Sequence, residues 1–308
     1  MILALAGGVG GAKLALGLSR LLPPEELVIA VNTGDDFEHM GLHVSPDLDT
    51  VMYTLAGIAN PETGWGQASE SWSFMAALER LGGPTWFRLG DRDLATNVER
   101  TRRLKLGESL SRVTSGLCQR LGVRHRVVPM SDEPVRTIVH TDGGVLEFQE
   151  YFVRLQCGPR VRKIEYQASA GIHPSAELRR ALSAKGLSGI VICPSNPYLS
   201  IAPILALDGV REAIGGSRKV VAVSPIIGGQ AVKGPAAKIM RELGLKPSAI
   251  EVARFYRGLV RSFVIDTVDS ALAGEIRALG MDVAVEDSVM RSEEDRVKLA
   301  RKCLTLLA

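Results

Sequence analysis

Met1-Ile2-Leu3-Ala4-Leu5-Ala6-Gly7-Gly8-Val9-Gly10-Gly11-Ala12-Lys13-Leu14-Ala15-Leu16-Gly17-Leu18 decides how this chain is read. Six apolar residues predict a buried strand. The glycines form a turn almost free of side chains, and the apolar spacing from Ala12 onward is helical. Glycine lets the backbone approach an anion closely, and the free N–H groups of a first helical turn point at it. The loop lacks the Gly-Lys-Ser/Thr ending of a P-loop. Gly8, Gly10 and Gly11 approach G-x-G-x-x-G without completing it. Two readings therefore stand: a phosphate cradle, or a tight strand-to-helix turn with no ligand.

The 308 residues suffice for one large α/β domain or two smaller ones. Hydrophobic residues make up 46% and aromatics only 5%, the balance of an Ala/Val/Leu/Ile-rich α/β protein. A net charge of +3 gives no case for nucleic acid or a membrane surface, while leaving room for a local basic site. The cysteines Cys118, Cys157, Cys193 and Cys303 form no CxxC pair. This excludes the usual zinc and disulfide patterns and fits a reducing, cytoplasmic setting. No segment reaches membrane-spanning length. The N-terminal apolar run has no basic flank and breaks into glycines, so no signal peptide is expected.

Apolar runs alternate with helical ones. Strands are expected over 27–32, 189–193, 219–224, 262–266 and 282–285, with a helix over 175–184. Continuous apolar strands suit a parallel sheet covered on both faces. The alternation predicts an α/β fold: a doubly wound, mostly parallel, Rossmann-like sheet. The middle reads differently. Helices are expected over 69–81, 91–104 and 108–121, and strands over 124–128, 135–141, 145–155 and 161–166. Thr141-Asp142-Gly143-Gly144 marks a hairpin turn. We assign 1–60 and 171–308 to the nucleotide-binding core and 61–170 to an inserted α+β subdomain.

Open α/β sheets bind ligands outside the carboxyl ends of their strands. Polar, Gly- or Pro-shaped loops follow four expected strands here: 7–11, Asn32-Thr33-Gly34-Asp35-Asp36, Pro194-Ser195-Asn196-Pro197 and Ser224-Pro225-Ile226-Ile227-Gly228-Gly229. Ser45-Pro46-Asp47-Leu48-Asp49-Thr50 looks like a helix start, with Ser45 or Asp47 as its N-cap. Asp35 at a strand end and Asp49 in a first turn are placed to converge. Two carboxylates with phosphates and water are how Mg²⁺ is commonly held. In Arg88-Leu89-Gly90-Asp91-Arg92-Asp93 the arginines offer planar donors to phosphate. Asp91 and Asp93 either pair with them or begin a helix. The 194–197 loop is either a purine-reading loop or a structural turn. Lys233-Gly234-Pro235 is an anion contact or a solvated lysine. No histidine has ligand spacing, and only His39 is expected near the site.

These motifs, with Leu89-Gly90-Asp91-Arg92-Asp93-Leu94-Ala95, Pro129-Met130-Ser131-Asp132 and Phe148-Gln149-Glu150, occur together over nearly the whole length. In that combination the chain resembles the 2-phospholactate transferase family of coenzyme F(420) biosynthesis. The resemblance implies transfer of a phospho-acyl group from an acyl-diphospho-guanosine to the ribityl hydroxyl of the deazaflavin Fo. GMP is released and Mg²⁺ assists. Gly64-Trp65-Gly66 and Trp86-Phe87 look more like the bacterial, enolpyruvyl-using branch. By the same resemblance, Asp49 and Arg88 contact Fo, and Asp35 and Asp49 hold the metal. Gly8, Val9, Gly10 and Gly11 cradle the diphosphate, Asn32 joins the substrate-binding set, and Ser195, Asn196 and Pro197 lie on the guanosine side. Asp49 or Asp36 accepts the hydroxyl proton, and Arg88 offsets phosphate charge. A homodimer is implied, with small-molecule substrates as its other partners. Two other readings are a non-enzymatic nucleotide-binding regulator of the gluconeogenesis-factor type and an NAD-dependent oxidoreductase. Against the second, no His or Tyr/Lys hydride-transfer set can be picked out.

Overall fold

The computed structural model describes residues 1–168, 171–217 and 219–308. Seven strands form the central sheet: β1 (Ile2–Ala6), β2 (Leu27–Val31), β3 (Arg126–Pro129), β4 (Gly189–Ile192), β5 (Val220–Val223), β6 (Ser262–Asp266) and β7 (Asp282–Glu286). Their order is β7-β6-β5-β4-β1-β2-β3, and every pairing is parallel. Ile2 pairs with Leu27 on one side and Gly189 on the other. The fold is the expected doubly wound α/β sheet.

Alternation along β1 explains why the whole strand is apolar. Leu3 and Leu5 join one core, together with Ile190 and Ile192 of β4. Ile2, Ala4 and Ala6 join the core on the opposite face. That face is covered by α1 (Gly8–Ser19), α2 (Pro46–Leu55) and the C-terminal helix Glu293–Leu307. With both faces dry, no position can be polar, and the period-two signal vanishes.

The chain builds outward from β1 to β3, then crosses back to β4 and builds the other way. The direction of winding therefore reverses between β1 and β4. That switch point leaves a crevice at the carboxyl edge, flanked by the glycine loop after β1 and the 194–197 loop after β4.

The segment 61–170 supplies α3 (Asp91–Lys105) and an antiparallel sheet of Gly144–Glu147, Arg136–Thr141 and Val161–Gln167. The hairpin turns where the sequence predicts, with Thr141 paired to Gly144. The segment also contributes β3 to the central sheet, so its chain is woven into the core at that edge. Ser169 and Ala170, at the boundary drawn between 170 and 171, lie outside the described residues. One expectation needs correction. The strand expected over 145–155 ends at Glu147, and a wide helical turn occupies Glu150–Arg154. Phe148 and Tyr151 are both buried, and their spacing of three follows a helical turn rather than a pleat.

Candidate functional site

One cleft of about 620 Å³ opens at the switch point, within the size range of small-molecule sites. Gly7, Gly8, Val9 and Gly10 form one part of its wall. Asp35, Asp47, Asp49 and Asp93 bring carboxylates, and Trp65, Trp86, Phe87, Phe148 and Phe152 bring aromatic surface.

Close packing requires glycine in this loop. Gly8 has φ +62°, and a Cβ at Gly10 would collide with the Pro194 carbonyl oxygen. The Gly7 N–H donates to Ser195 Oγ at 3.1 Å, and that hydroxyl donates back to the Gly7 carbonyl at 2.8 Å. Ser195 thus clamps the two loops of the switch point together. Asn196 lines the cleft, but its side-chain oxygen accepts from the N–H groups of Tyr198 and Leu199. Ser195 and Pro197 lie behind the lining.

Asp47 differs from its reading as a helix cap. It is the second residue of α2, and its carboxylate turns to the glycine loop. It accepts from the Gly8 N–H at 2.6 Å and from Asn32 Nδ2 at 2.9 Å. The same Asn32 amide donates to Asp35 Oδ1 at 3.0 Å, tying the two carboxylates together. Ser45 holds the N-cap position, but its hydroxyl donates to Asp36 at 2.8 Å instead of capping. Burial raises Asp47 to about 6, while its hydrogen bonds oppose the shift. Asp35 is pushed well above the usual carboxylate range by burial and by the charges of Asp47 and Asp36. Val9 and Gly10, next in the first turn of α1, have no intrahelical acceptor for their amides and line the cleft.

Asp49 also lines the cleft and forms a buried ion pair with Arg100. Arg100 Nη1 donates to Asn97 Oδ1 at 2.7 Å, and Tyr53 donates to Asp93 Oδ1 at 2.7 Å. Burial raises Asp49, opposed by Arg100. Burial and the Asp49 charge push Asp93 up to about 7. Asp36 lies outside the cleft lining, bonded to Ser45 and to His43 Nε2 at 3.1 Å. His39 packs among Phe37, Trp86 and Phe87, and burial lowers its pKa.

Arg88 lines the cleft, its guanidinium 4.3 Å from the Trp72 ring centroid. Asp91 pairs with neither Arg88 nor Arg92. It accepts from Ser71 Oγ and from the amides of Ser73 and Phe74. The structure thus gathers Gly8, Val9, Gly10, Asp35, Asp49, Arg88 and Asn196 into one cleft. Asn32 braces its carboxylates from below, and Asp36, Ser195 and Pro197 stand in the supporting layer. Gly11 packs against Ser195 and Ala6. Sequence reasoning missed Arg100 and Tyr53, and it quoted Gln149 within a motif without giving it a role. Asp93, Asn97 and Arg100 did carry a signal, a polar stripe at i, i+4 and i+7 on one face of α3.

An acidic, aromatic-walled cleft beside a glycine turn defines the class: a doubly wound α/β protein with a cleft at the carboxyl edge of the sheet. The profile of one family, 2-phospho-L-lactate transferase CofD, matches residues 2–302. The chain is 40% identical to a phosphoenolpyruvate transferase of Streptomyces griseus, over 99% of this chain and 98% of that one. It is 37% identical to a 2-phospho-L-lactate transferase of Methanocaldococcus jannaschii, over 99% and 97% of the two chains. A crystal structure of a UPF0052-family protein from Bacillus halodurans superposes with a TM-score of 0.63 at 17% identity, covering 98% of both chains, which is a likeness of fold. This chain belongs to the 2-phospho-L-lactate transferase family and is a transferase enzyme. Among the described residues, no helix is long and apolar enough to cross a membrane.

Proposed function

We propose that this enzyme transfers a phospho-acyl group, 2-phospholactyl or phosphoenolpyruvyl, from an acyl-diphospho-5'-guanosine to the ribityl hydroxyl of Fo, in coenzyme F(420) biosynthesis. The observation that carries the reading is the composition of this cleft. Its glycine turn suits a diphosphate, its Trp and Phe wall suits the flat deazaflavin ring, and its carboxylates line the same space. The enolpyruvyl donor is preferred, because the Trp65 and Trp86-Phe87 motifs that suggest the bacterial branch all line the cleft.

In this step the hydroxyl oxygen bonds to the phosphorus bearing the acyl group. The bond from that phosphorus to the bridging oxygen breaks, and the bridging oxygen leaves on GMP with its electron pair. Asp49, which lines the cleft, is better placed than Asp36 to take the hydroxyl proton. Arg88, with no carboxylate partner among the described residues, is available to substrate charge.

The residues fit a divalent cation. Asp35 and Asp47 share one amide, and burial raises both, so holding the two carboxylates ionised side by side is costly and a bound cation would relieve that cost. Among the described residues, no group of three ligand side chains is arranged to hold a metal; Mg²⁺ is commonly held by one or two carboxylates with substrate phosphates and water. Asp35 and Asp49 are the assigned ligands, with Asp47 beside them. When bound, Mg²⁺ supplies neutralisation of diphosphate charge.

The test is to mix enzyme, Fo and donor with Mg²⁺ or with excess EDTA, and follow GMP release by chromatography. GMP should form only when Fo, donor and Mg²⁺ are all present. GMP release that ignores Fo would refute the acceptor, and full activity in EDTA would refute the metal.

A further inference from the structure

Lys233 is exposed on the loop that follows β5, yet its ammonium is held in place. Nζ donates to the carbonyl of Thr63 at 2.7 Å, and the residue lines the cleft. A methyl carbon built at Gly64 would lie 2.8 Å from Val9 Cγ1 and 3.1 Å from Lys233 Nζ. The ammonium and the first turn of α1 therefore reach the same spot.

Among the described residues, Lys233 and Arg88 are the cleft-lining cations, and Lys233 forms no ion pair. Lys233 also contributes to a lowered pKa at Lys13, behind burial and Arg296. Lys233, Lys13 and Arg296 thus bring positive charge near one another on this side of the cleft, while the carboxylate that meets the glycine loop, Asp47, is engaged by the Gly8 N–H. An ammonium bonded only to a neutral carbonyl readily exchanges that bond for a phosphate oxygen, because charge-assisted hydrogen bonds are the stronger.

We propose that Lys233 binds the diphosphate of the nucleotide donor, completing with Val9 and Gly10 an anion site that spans the glycine loop and the loop after β5. This rests on the nucleotide-donor reading above and adds the residue that meets the phosphate charge. It also gives the Thr63 contact a role: the 60–66 loop holds the ammonium in position until substrate arrives. Because Lys233 is exposed and at the tip of a loop, its removal leaves the core untouched.

The experiment measures binding of GDP and of guanosine by calorimetry to wild type, Lys233→Ala and Lys233→Arg, with thermal melts as a check on folding. Lys233→Ala should weaken GDP roughly 10- to 100-fold, the range for one hydrogen bond to a charged group. Guanosine affinity and melting temperature should be unchanged, and Lys233→Arg should restore most of the GDP affinity. In turnover, Lys233→Ala should raise the KM for the donor and leave that for Fo in place. Equal GDP affinity in wild type and Lys233→Ala overturns the assignment of Lys233. Failure of the wild type itself to bind GDP overturns the nucleotide reading beneath it.

Discussion

Arg100→Met removes one partner of the buried Asp49–Arg100 pair. Arg100 is 1% exposed, so its charge cannot turn to water, and Asp49, 5% exposed, meets solvent only where it lines the cleft. Arg100 also holds Asn97 Oδ1 at 2.7 Å. Breaking a buried pair on one side costs about 3–5 kcal/mol, because the remaining charge is left desolvated and alone. With an unfolding entropy of about 2.1 cal/mol/K per residue, this is a fall of about 5–8 °C in melting temperature for a chain of this length. Asp49→Asn should cost a comparable amount, since it strands the guanidinium instead. The double variant leaves no unpaired charge and should lose clearly less than the sum, with a coupling of at least about 1.5 kcal/mol. Urea unfolding of the four proteins gives each value. Losses that add to within about 0.5 kcal/mol would refute the pairing as a source of stability. A loss below about 1 kcal/mol for Arg100→Met would refute its burial.

Gly10→Ala should destabilise by about 1–3 kcal/mol, because its Cβ meets the Pro194 backbone rather than a movable side chain. Gly274→Ala, whose Cβ meets nothing within 4 Å, should cost nothing in the same melts. The pH dependence of stability follows from Asp93, raised in the folded state to about 7. A carboxyl raised by folding favours the folded state while protonated, so this contribution is present at low pH and lost as pH rises through about 7. Asp93→Asn should therefore flatten the fall in melting temperature between pH 5 and 8, and parallel curves for both proteins would contradict it. Arg88→Ala should raise the KM for Fo; an effect confined to the donor would move Arg88 to the other substrate.

The sheet was legible because its inner strands are dry on both faces, leaving uninterrupted runs such as Leu27–Val31 between polar turns. The cleft was partly legible for a related reason. Strand-end loops carry glycines, carboxylates and Asn196 where a core would never place them. What stayed hidden depends on contacts between distant elements. An aspartate at a helix start commonly caps it, and only the approach of α1 turns Asp47 to Gly8. Gln149 reaches the Asp35 carbonyl at 3.2 Å because the chain leaves the hairpin in a helical turn, not the expected strand. Arg100 reads as one of several arginines on α3, and its burial shows only once Asp49 stands opposite.

The central claim is that one cleft at the switch between β1 and β4 holds both substrates. A crystal structure with GDP, Mg²⁺ and Fo tests it most directly. The diphosphate should lie against the amides of Val9 and Gly10, with the deazaflavin ring on Trp86 and Phe87 beside Asp49 and Arg88. A nucleotide bound away from the glycine loop, or Fo bound in a separate cavity, would contradict the account.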